Sequence, residues 1–215
     1  KSTVTQGGGR FDTQSYANAL ISAMREAPDL IMIGEIRDQP TLQNCLLFAQ
    51  TGHLCMSTLH ANNSYNALNR IINFFPREAR DSLLADLAIA LRAVISQRLI
   101  KTVDGRRVPA VEVLLNTKHI QELISKGEIG QIKEALEQSL SPGSQSFEQA
   151  LFGHIHSGKV SVEEAMAHSD SPTNLHWLLN NAPKPQAGAA SNQAPAATRK
   201  QDDLTSIKLN LHALG

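Results

Sequence analysis

Two short apolar runs enclose a segment with helical spacing, and this arrangement constrains the fold more than any other part of the sequence. The first run covers residues 30–33 and leads into Gly34-Glu35, and the second covers residues 54–59 and leads into His60. Runs of this length with continuous hydrophobicity predict buried strands, in a sheet that helices cover on both faces. The sequence therefore predicts two core strands within residues 28–62.

The segment between the two runs has the start, spacing and end of a helix. Pro40 stands where a first helical turn is expected, and Gly52 stands where a helix can close. Apolar residues recur between them at helical spacing, namely Leu42, Cys45, Leu46 and Ala49. A strand, a crossover helix and a second strand predict that the two strands run parallel.

Polar side chains follow both predicted strands. In open parallel sheets, ligands bind beyond the carboxyl ends of the strands, which is where Glu35 and His60 fall. A carboxylate there can order a Mg²⁺ shell or orient an attacking water, and a neighbouring imidazole can donate a hydrogen bond to a phosphate. The alternative is structural: Glu35 would be a solvated loop residue and His60 a neighbour of a helix cap.

A second histidine, His53, lies seven positions before His60. Seven residues along a strand place the two side chains on opposite faces, so a shared metal is not expected. We predict that His53 orders the start of the second strand and that His60 is the site residue.

Composition sets broad limits on the class of protein. The 215 residues carry 20 Lys+Arg and 20 Asp+Glu, so the formal net charge is +0 and gives no basic field of the kind that dominates nucleic-acid binding. The two cysteines, Cys45 and Cys55, fall in predicted buried elements and suit a reducing compartment. No apolar run approaches the ~20 residues of a membrane-spanning helix.

The rest of the chain divides by pattern. Capping and periodicity predict a helix ending at Ala27, a helix over residues 64–75 and a longer helix over residues 77–98, whose core face includes Leu91, Val94 and Ile95. Asp104-Gly105 between two apolar runs predicts a β-hairpin. Beyond Thr117 the pattern is helical, and residues 183–200 have the composition of a disordered linker.

The segments that hold these residues resemble a known family. REAPDLIMIGEIRD is similar to the aspartate box and Walker B segment of the bacterial secretion and type IV pilus motor ATPases, and TGHLCMSTLHAN is similar to their histidine box. The segments ALNRIINFFP, LRAVISQRLI, VPAVEVLLNT and QSFEQALF extend the resemblance in the same order over roughly residues 3–179. Within that superfamily the resemblance is to the PilT/PilU group of twitching-motility retraction ATPases, and GHLCMSTLHAN and RIINFFP look more like PilU than PilT.

The resemblance implies an α/β fold. Residues 1–116 would form the C-terminal part of a RecA-like P-loop ATPase core, with a parallel sheet and helices. Residues 117–182 would form a small all-helical subdomain, and residues 183–215 a disordered linker and tail. The sequence contains no Walker A motif of the form G-x-x-x-x-G-K-[ST], so we expect the chain alone not to hydrolyse ATP.

The resemblance also implies a function, site residues and partners. The intact protein would be a hexameric motor that hydrolyses ATP with Mg²⁺ and drives type IV pilus retraction from the cytoplasmic side of the inner membrane. Its partners would be further copies of itself, a sister retraction ATPase and the inner-membrane pilus platform protein, with no nucleic acid. Glu35 would be the catalytic carboxylate, binding Mg²⁺ directly or through water, and His60 would contact phosphate. The further phosphate-contacting candidates are Arg25, Arg37, Thr58 and Arg98.

Two other functions remain open from the sequence. One is a non-hydrolysing accessory subunit that docks on a sister pilus motor and transmits force. The other is a RecA-like DNA translocase, which fits the core pattern but not the neutral charge.

Overall fold

The computed structural model describes residues 28–181, which form strands and helices in alternation and then a run of helices. The first part contains β1 (Leu30–Glu35), α1 (Gln39–Gln50), β2 (Leu54–Thr58), α2 (Ser64–Asn73) and α3 (Arg80–Ala90). The second part contains β3 (Ala93–Lys101), β4 (Arg107–Leu115), α4 (Lys118–Ser125), α5 (Ile132–Glu137), α6 (Phe147–His156), α7 (Val162–His168) and α8 (Pro172–Asn181). Short 3₁₀ turns at Arg77–Ala79 and Ile129–Gln131 precede α3 and α5.

The predicted strand–helix–strand unit is confirmed. β1 and β2 pair in parallel, from Leu30 opposite Leu54 to Glu35 opposite Thr58. The carboxylate of Asp38 caps α1 by accepting a 2.9 Å hydrogen bond from the Thr41 amide. Hydrogen bonding from the Thr41 side chain, and then from its backbone amide, holds the pKa of Asp38 below its ordinary value.

The β1–β2 sheet is covered on one face by the described elements. Ile31 and Ile33 are buried and join the cluster that includes Leu42 and Phe48 of α1. The alternate residues of the two strands are exposed: Leu30, Met32, Leu54 and Met56. The continuous hydrophobicity of the strands predicted helices on both faces of the sheet. Within residues 28–181, no helix covers the second face, and its apolar side chains are exposed.

β3 and β4 form the predicted antiparallel hairpin, which is longer than the sequence indicated. Nine residue pairs join the strands, from Ala93 opposite Leu115 to Lys101 opposite Arg107. The prediction of one helix over residues 77–98 is therefore wrong, because α3 ends at Ala90 and the backbone of Leu91 is extended. The apolar spacing of Leu91, Val94 and Ile95 fits a helix face, but strand pairing with β4 satisfies the backbone of residues 93–101 instead.

Two buried apolar clusters organise the described chain. The first combines residues of β1, α1, α2 and α3 with α4 and α5, including Ile124 and Ile132. The second joins the hairpin to α6, α7 and α8 through Ile100, Phe147 and Leu175. Both clusters contain residues from each side of position 116, where the sequence predicted a domain boundary.

Several predictions lie outside the described residues. They are the helix ending at Ala27, the linker and tail over residues 183–215, and the placement of Arg25. Of the helices between Pro28 and Asn181, none combines the length and the hydrophobicity that crossing a membrane requires.

Candidate functional site

Glu35 and His60 meet at one edge of the β1–β2 sheet. Glu35 is the last residue of β1, and His60 follows the end of β2 by two residues. Because the strands are parallel, their carboxyl ends lie side by side, and the Glu35 Oε1 and His60 Nε2 atoms are 3.2 Å apart. The sequence prediction that these residues share an edge of the sheet is thus confirmed in geometry.

The Glu35 carboxylate is held on both oxygens. Its Oε2 accepts a 2.6 Å hydrogen bond from Arg37 Nε, and its Oε1 faces His60. The Glu35 side chain is 18% exposed, whereas the Arg37 and His60 side chains are 77% and 78% exposed. The anion is thus sheltered between two groups that solvent reaches freely.

The backbone beside the carboxylate is shaped by an irregularity in the strand pairing. The register shifts between Ile33 and Glu35, so that Glu35 stands opposite Thr58. The Thr58 hydroxyl donates to the carbonyl of Gly34, and the Ile36 amide donates to the carbonyl of Thr58 over 3.0 Å. These bonds hold the backbone on both sides of Glu35 against the end of β2. They also engage the Thr58 hydroxyl, which was a predicted phosphate-contacting group.

An open groove of about 640 Å³ runs from His60 along α2. Amide side chains dominate its polar lining, and the full lining is His60, Ala61, Asn62, Asn66, Asn69, Arg70, Asn73 and Phe74. Arg70 also donates a 3.1 Å hydrogen bond to the carbonyl of His60. The groove therefore adds both hydrogen-bond donors and hydrogen-bond acceptors next to the Glu35–His60 pair.

Metal binding at this edge would rest on Glu35. Within residues 28–181, no three His, Cys, Asp or Glu side chains are grouped closely enough to hold a metal ion. Mg²⁺ is commonly held by one or two carboxylates together with substrate phosphates and water, so a single carboxylate fits that ion in a nucleotide complex.

The other predicted site residues fall in different places. His53 lies at the opposite end of β2, where its ring contacts the Thr51 hydroxyl at 3.1 Å and packs edge-on to Phe48. Arg98 lies on β3 and pairs with Asp170 at 2.7 Å. The structure thus brings together Glu35, Arg37, Thr58 and His60, and gives Arg98 a separate set of partners.

Sequence reasoning missed Arg70, Asn63 and Asp170. Arg70 lies on the exposed side of an amphipathic helix, where a cation is ordinary, and it touches His60 only through a backbone carbonyl. Asn63 bonds Asp170 from 107 positions away. No local pattern could signal that contact, because it depends on how the last helices fold back.

Comparison with known proteins extends the geometric findings. The family described as type II/IV secretion system protein matches residues 9–167, which is well over half of the chain. The chain belongs to this family. The structure also resembles a crystal structure of the pilus retraction motor PilT with bound ADP, with a TM-score of 0.70 and 34% sequence identity over 79% of this chain and 48% of that one.

Two relatives in this secretion family come from Pseudomonas aeruginosa. The type IV pilus ATPase PilU is 44% identical over 177 residues, which is 82% of this chain and 46% of PilU. The type IV pilus retraction ATPase PilT is 36% identical over 175 residues, which is 81% of this chain and 51% of PilT. The chain therefore spans about half the length of these relatives. The predicted resemblance to the PilT/PilU group is confirmed, and so is the α/β fold with a mostly helical C-terminal part.

Proposed function

We propose that the intact protein is an ATP-hydrolysing motor of a type IV pilus system, and that Glu35 and His60 form part of its nucleotide site. One observation carries the proposal: a carboxylate and an imidazole meet 3.2 Å apart beyond the carboxyl ends of two adjacent parallel strands. Ligand sites of open α/β sheets lie at that edge. The relatives named for pilus ATPase activity support the choice of reaction.

Glu35 is the group suited to act on the attacking water. A carboxylate within hydrogen-bond reach of water can orient it and accept its proton, a role that requires the ionised form. Arg37 and His60 lie against the two oxygens of Glu35, so the carboxylate is held in one orientation. Arg37, being largely exposed, can in addition approach an incoming phosphate.

His60 is the group suited to report on the terminal phosphate. An imidazole that donates a hydrogen bond to the γ-phosphate distinguishes ATP from ADP, because only ATP provides that acceptor. Mg²⁺, when bound with the nucleotide, neutralises phosphate charge, and Glu35 is the residue that would hold it directly or through water. Thr58 would act through the backbone, because its hydroxyl is bonded to Gly34.

The wider biology belongs to the same proposal. The motor would assemble as a hexamer, act in pilus retraction with a sister ATPase, and work on the cytoplasmic side of the inner membrane against the pilus platform protein. The relatives named as a pilus retraction ATPase and a twitching-motility protein support the retraction role within this proposal. We further propose that the 215-residue chain by itself is inactive, because its sequence has no Walker A motif to hold the β- and γ-phosphates.

The test is the Glu35→Gln substitution in the full-length protein. Glutamine keeps the shape of the side chain and one acceptor oxygen but removes its charge, so phosphate release should fall by about 100-fold or more while ATP still binds. The matched control is Glu122→Gln on the exposed surface of α4, which should leave the rate unchanged. An unchanged rate in Glu35→Gln would reject the catalytic role of Glu35. Absence of hydrolysis in the unsubstituted protein would favour the accessory subunit instead.

A further inference from the structure

His60 stands on a short connection whose backbone decides where the imidazole lies. Residues 59–63 join β2 to α2, and the His60 side chain is 78% exposed. Its imidazole contacts Glu35, but little else restrains a side chain that is so open to solvent. The position of the ring therefore depends on how firmly the connection is held.

Arg98 holds that connection from the hairpin. Its guanidinium donates a 3.1 Å hydrogen bond to the carbonyl of Asn62, two residues after His60. It also pairs with Asp170 at 2.7 Å, donates to the carbonyl of His168 at 2.7 Å, and stacks 4.0 Å from the ring centroid of Phe147. The planar fork of an arginine can serve all these partners at once, whereas the single ammonium of a lysine cannot.

Asp170 holds the same connection at a second point. Its Oδ2 accepts a 2.9 Å hydrogen bond from the side chain of Asn63, which is only 2% exposed. The Oδ1 atom of Asn63 caps α2 by accepting a 3.0 Å hydrogen bond from the backbone amide of Asn66. Asp170 thus reaches the first turn of α2 and, through Arg98, the carbonyl of Asn62.

The junction between these segments contains further charged groups. Glu112 of β4 accepts a 2.7 Å hydrogen bond from the Ser64 amide, and Lys133 donates to the carbonyl of Asp170 at 3.0 Å. Glu148 is 2% exposed and accepts from the Ser171 amide at 2.8 Å. The connection that carries His60 is therefore bonded into a polar junction built from the hairpin and the C-terminal helices.

We infer that Arg98 and Asp170 are positioning residues for His60. They act through the backbone and touch no nucleotide themselves, and they tie the histidine to the segment between α7 and α8. A displacement of about 1 Å at a reacting group can cost a hundredfold in rate, so such anchoring matters for a side chain as exposed as His60. This inference rests on the proposed role of His60 in contacting phosphate.

The anchoring itself is tested by hydrogen exchange in the full-length protein without nucleotide. Asp170→Asn should speed exchange of the Ser64 and Asn66 amides by about tenfold, because the Asn63 cap loses its charged partner. Arg98→Lys provides a milder second variant, expected to act in the same direction. The control is Asp104→Asn, which breaks an exposed Asp–Arg pair of 2.6 Å at the hairpin turn. Exchange at Ser64 and Asn66 that matches the unsubstituted protein in both variants would overturn the inference.

The link to His60 is tested by the affinities for ATP and ADP. Asp170→Asn should lower the ratio of ATP to ADP affinity in the same direction as His60→Ala, by up to about tenfold. In the His60→Ala background it should add nothing, because the residue through which it acts is already gone. Equal effects of Asp170→Asn with and without His60 would show a merely structural role and overturn the inference.

The two hypotheses fail in different ways. If His60→Ala leaves the affinity ratio unchanged, the proposed function of His60 fails, and with it the idea that Asp170 acts on nucleotide. If His60→Ala lowers the ratio and Asp170→Asn does not, the proposed site stands and the positioning role is rejected.

Discussion

Two polar centres stand out within residues 28–181, and they differ in how far their charged side chains are exposed to solvent. At the Glu35–His60 edge, Arg37 and His60 are more than three-quarters exposed. At the junction around Arg98, the Arg98 and Asp170 side chains are 18% and 20% exposed, and Glu112 and Glu148 are 5% and 2% exposed. In the first centre, the side chains of Arg37 and His60 remain accessible to solvent and to a ligand. In the second, the charged side chains form their hydrogen bonds with other groups of the chain.

The difference separates binding from positioning. A buried charge must find its partners inside the protein, because leaving it unpaired costs several kcal/mol, on the order of 3–5. The partners of Arg98 are two carbonyls, a carboxylate and an aromatic ring, and all are in place. Exposed groups such as Arg37 and His60 can instead exchange water for a ligand at little cost. The difference in exposure supports the proposal that the first centre contacts nucleotide and the second couples segments of the fold.

Removing Arg98 should have the largest effect on stability. Arg98→Met leaves Asp170 without its charged partner and the Asn62 carbonyl without its donor, so the free energy of unfolding should fall by about 3 kcal/mol. Denaturant unfolding measures it. Arg106→Met, which breaks the exposed pair with Asp104, is the control and should be near neutral. If both variants lost a similar amount of unfolding free energy, the Arg98 pair would be no more important to stability than an exposed surface pair.

Glu112 should have a smaller, pH-dependent effect. Burial raises the pKa of Glu112 above its ordinary 4.5, more than the hydrogen bonds from Ser64 lower it. The folded protein therefore binds the proton more tightly than the unfolded chain does. The stability that protonated Glu112 contributes is present below pH 4.5 and is lost as pH rises through the raised pKa.

The Glu112→Gln variant isolates the contribution of Glu112 to the pH dependence of stability. Glutamine resembles the protonated carboxyl and can still accept from the Ser64 amide, so the variant should gain stability relative to the unsubstituted protein as pH rises from 4 to 7.5. Unfolding curves measured across that range give the difference in the free energy of unfolding between the two proteins. A difference that moves in favour of the unsubstituted protein at neutral pH would mean that Arg98 and Ser64 outweigh burial.

Arg37 should have the smallest effect on stability. Its pair with Glu35 is short, at 2.6 Å, but the arginine is 77% exposed, so Arg37→Gln should change the free energy of unfolding by no more than about 0.5 kcal/mol. A melting experiment on the chain is sufficient. A loss as large as that of Arg98→Met would place Arg37 among the structural charges.

The sequence predicted the first centre better than the second, for a physical reason. The strand edge follows from local signals: apolar runs set β1 and β2, and Pro40 and Gly52 mark where α1 begins and ends. Parallel pairing then puts Glu35 beside His60. Their chemical roles remain predictions, because geometry alone does not show a reaction.

The second centre depends on long-range folding, which leaves no local mark. Asn63 and Asp170 are 107 positions apart, and the partner that Glu112 finds, the Ser64 amide, is 48 positions away from it in the sequence. The wrong helix over residues 77–98 has a related cause. Leu91, Val94 and Ile95 fit helical spacing equally well, and only pairing with β4 decides that residues 93–101 form a strand.

The proposal that His60, and not His53, contacts phosphate has a direct test. The measurement is the ratio of ATP to ADP affinity, with turnover, in the full-length protein carrying His60→Ala or His53→Ala. If His60 contacts the terminal phosphate, His60→Ala should lower the ratio about tenfold and slow turnover. His53→Ala, which loses only its contacts with Thr51 and Phe48, should reduce stability and leave the ratio unchanged. The reverse result, with His53→Ala abolishing turnover at unchanged stability and His60→Ala near normal, would show that His53 and not His60 is the site histidine.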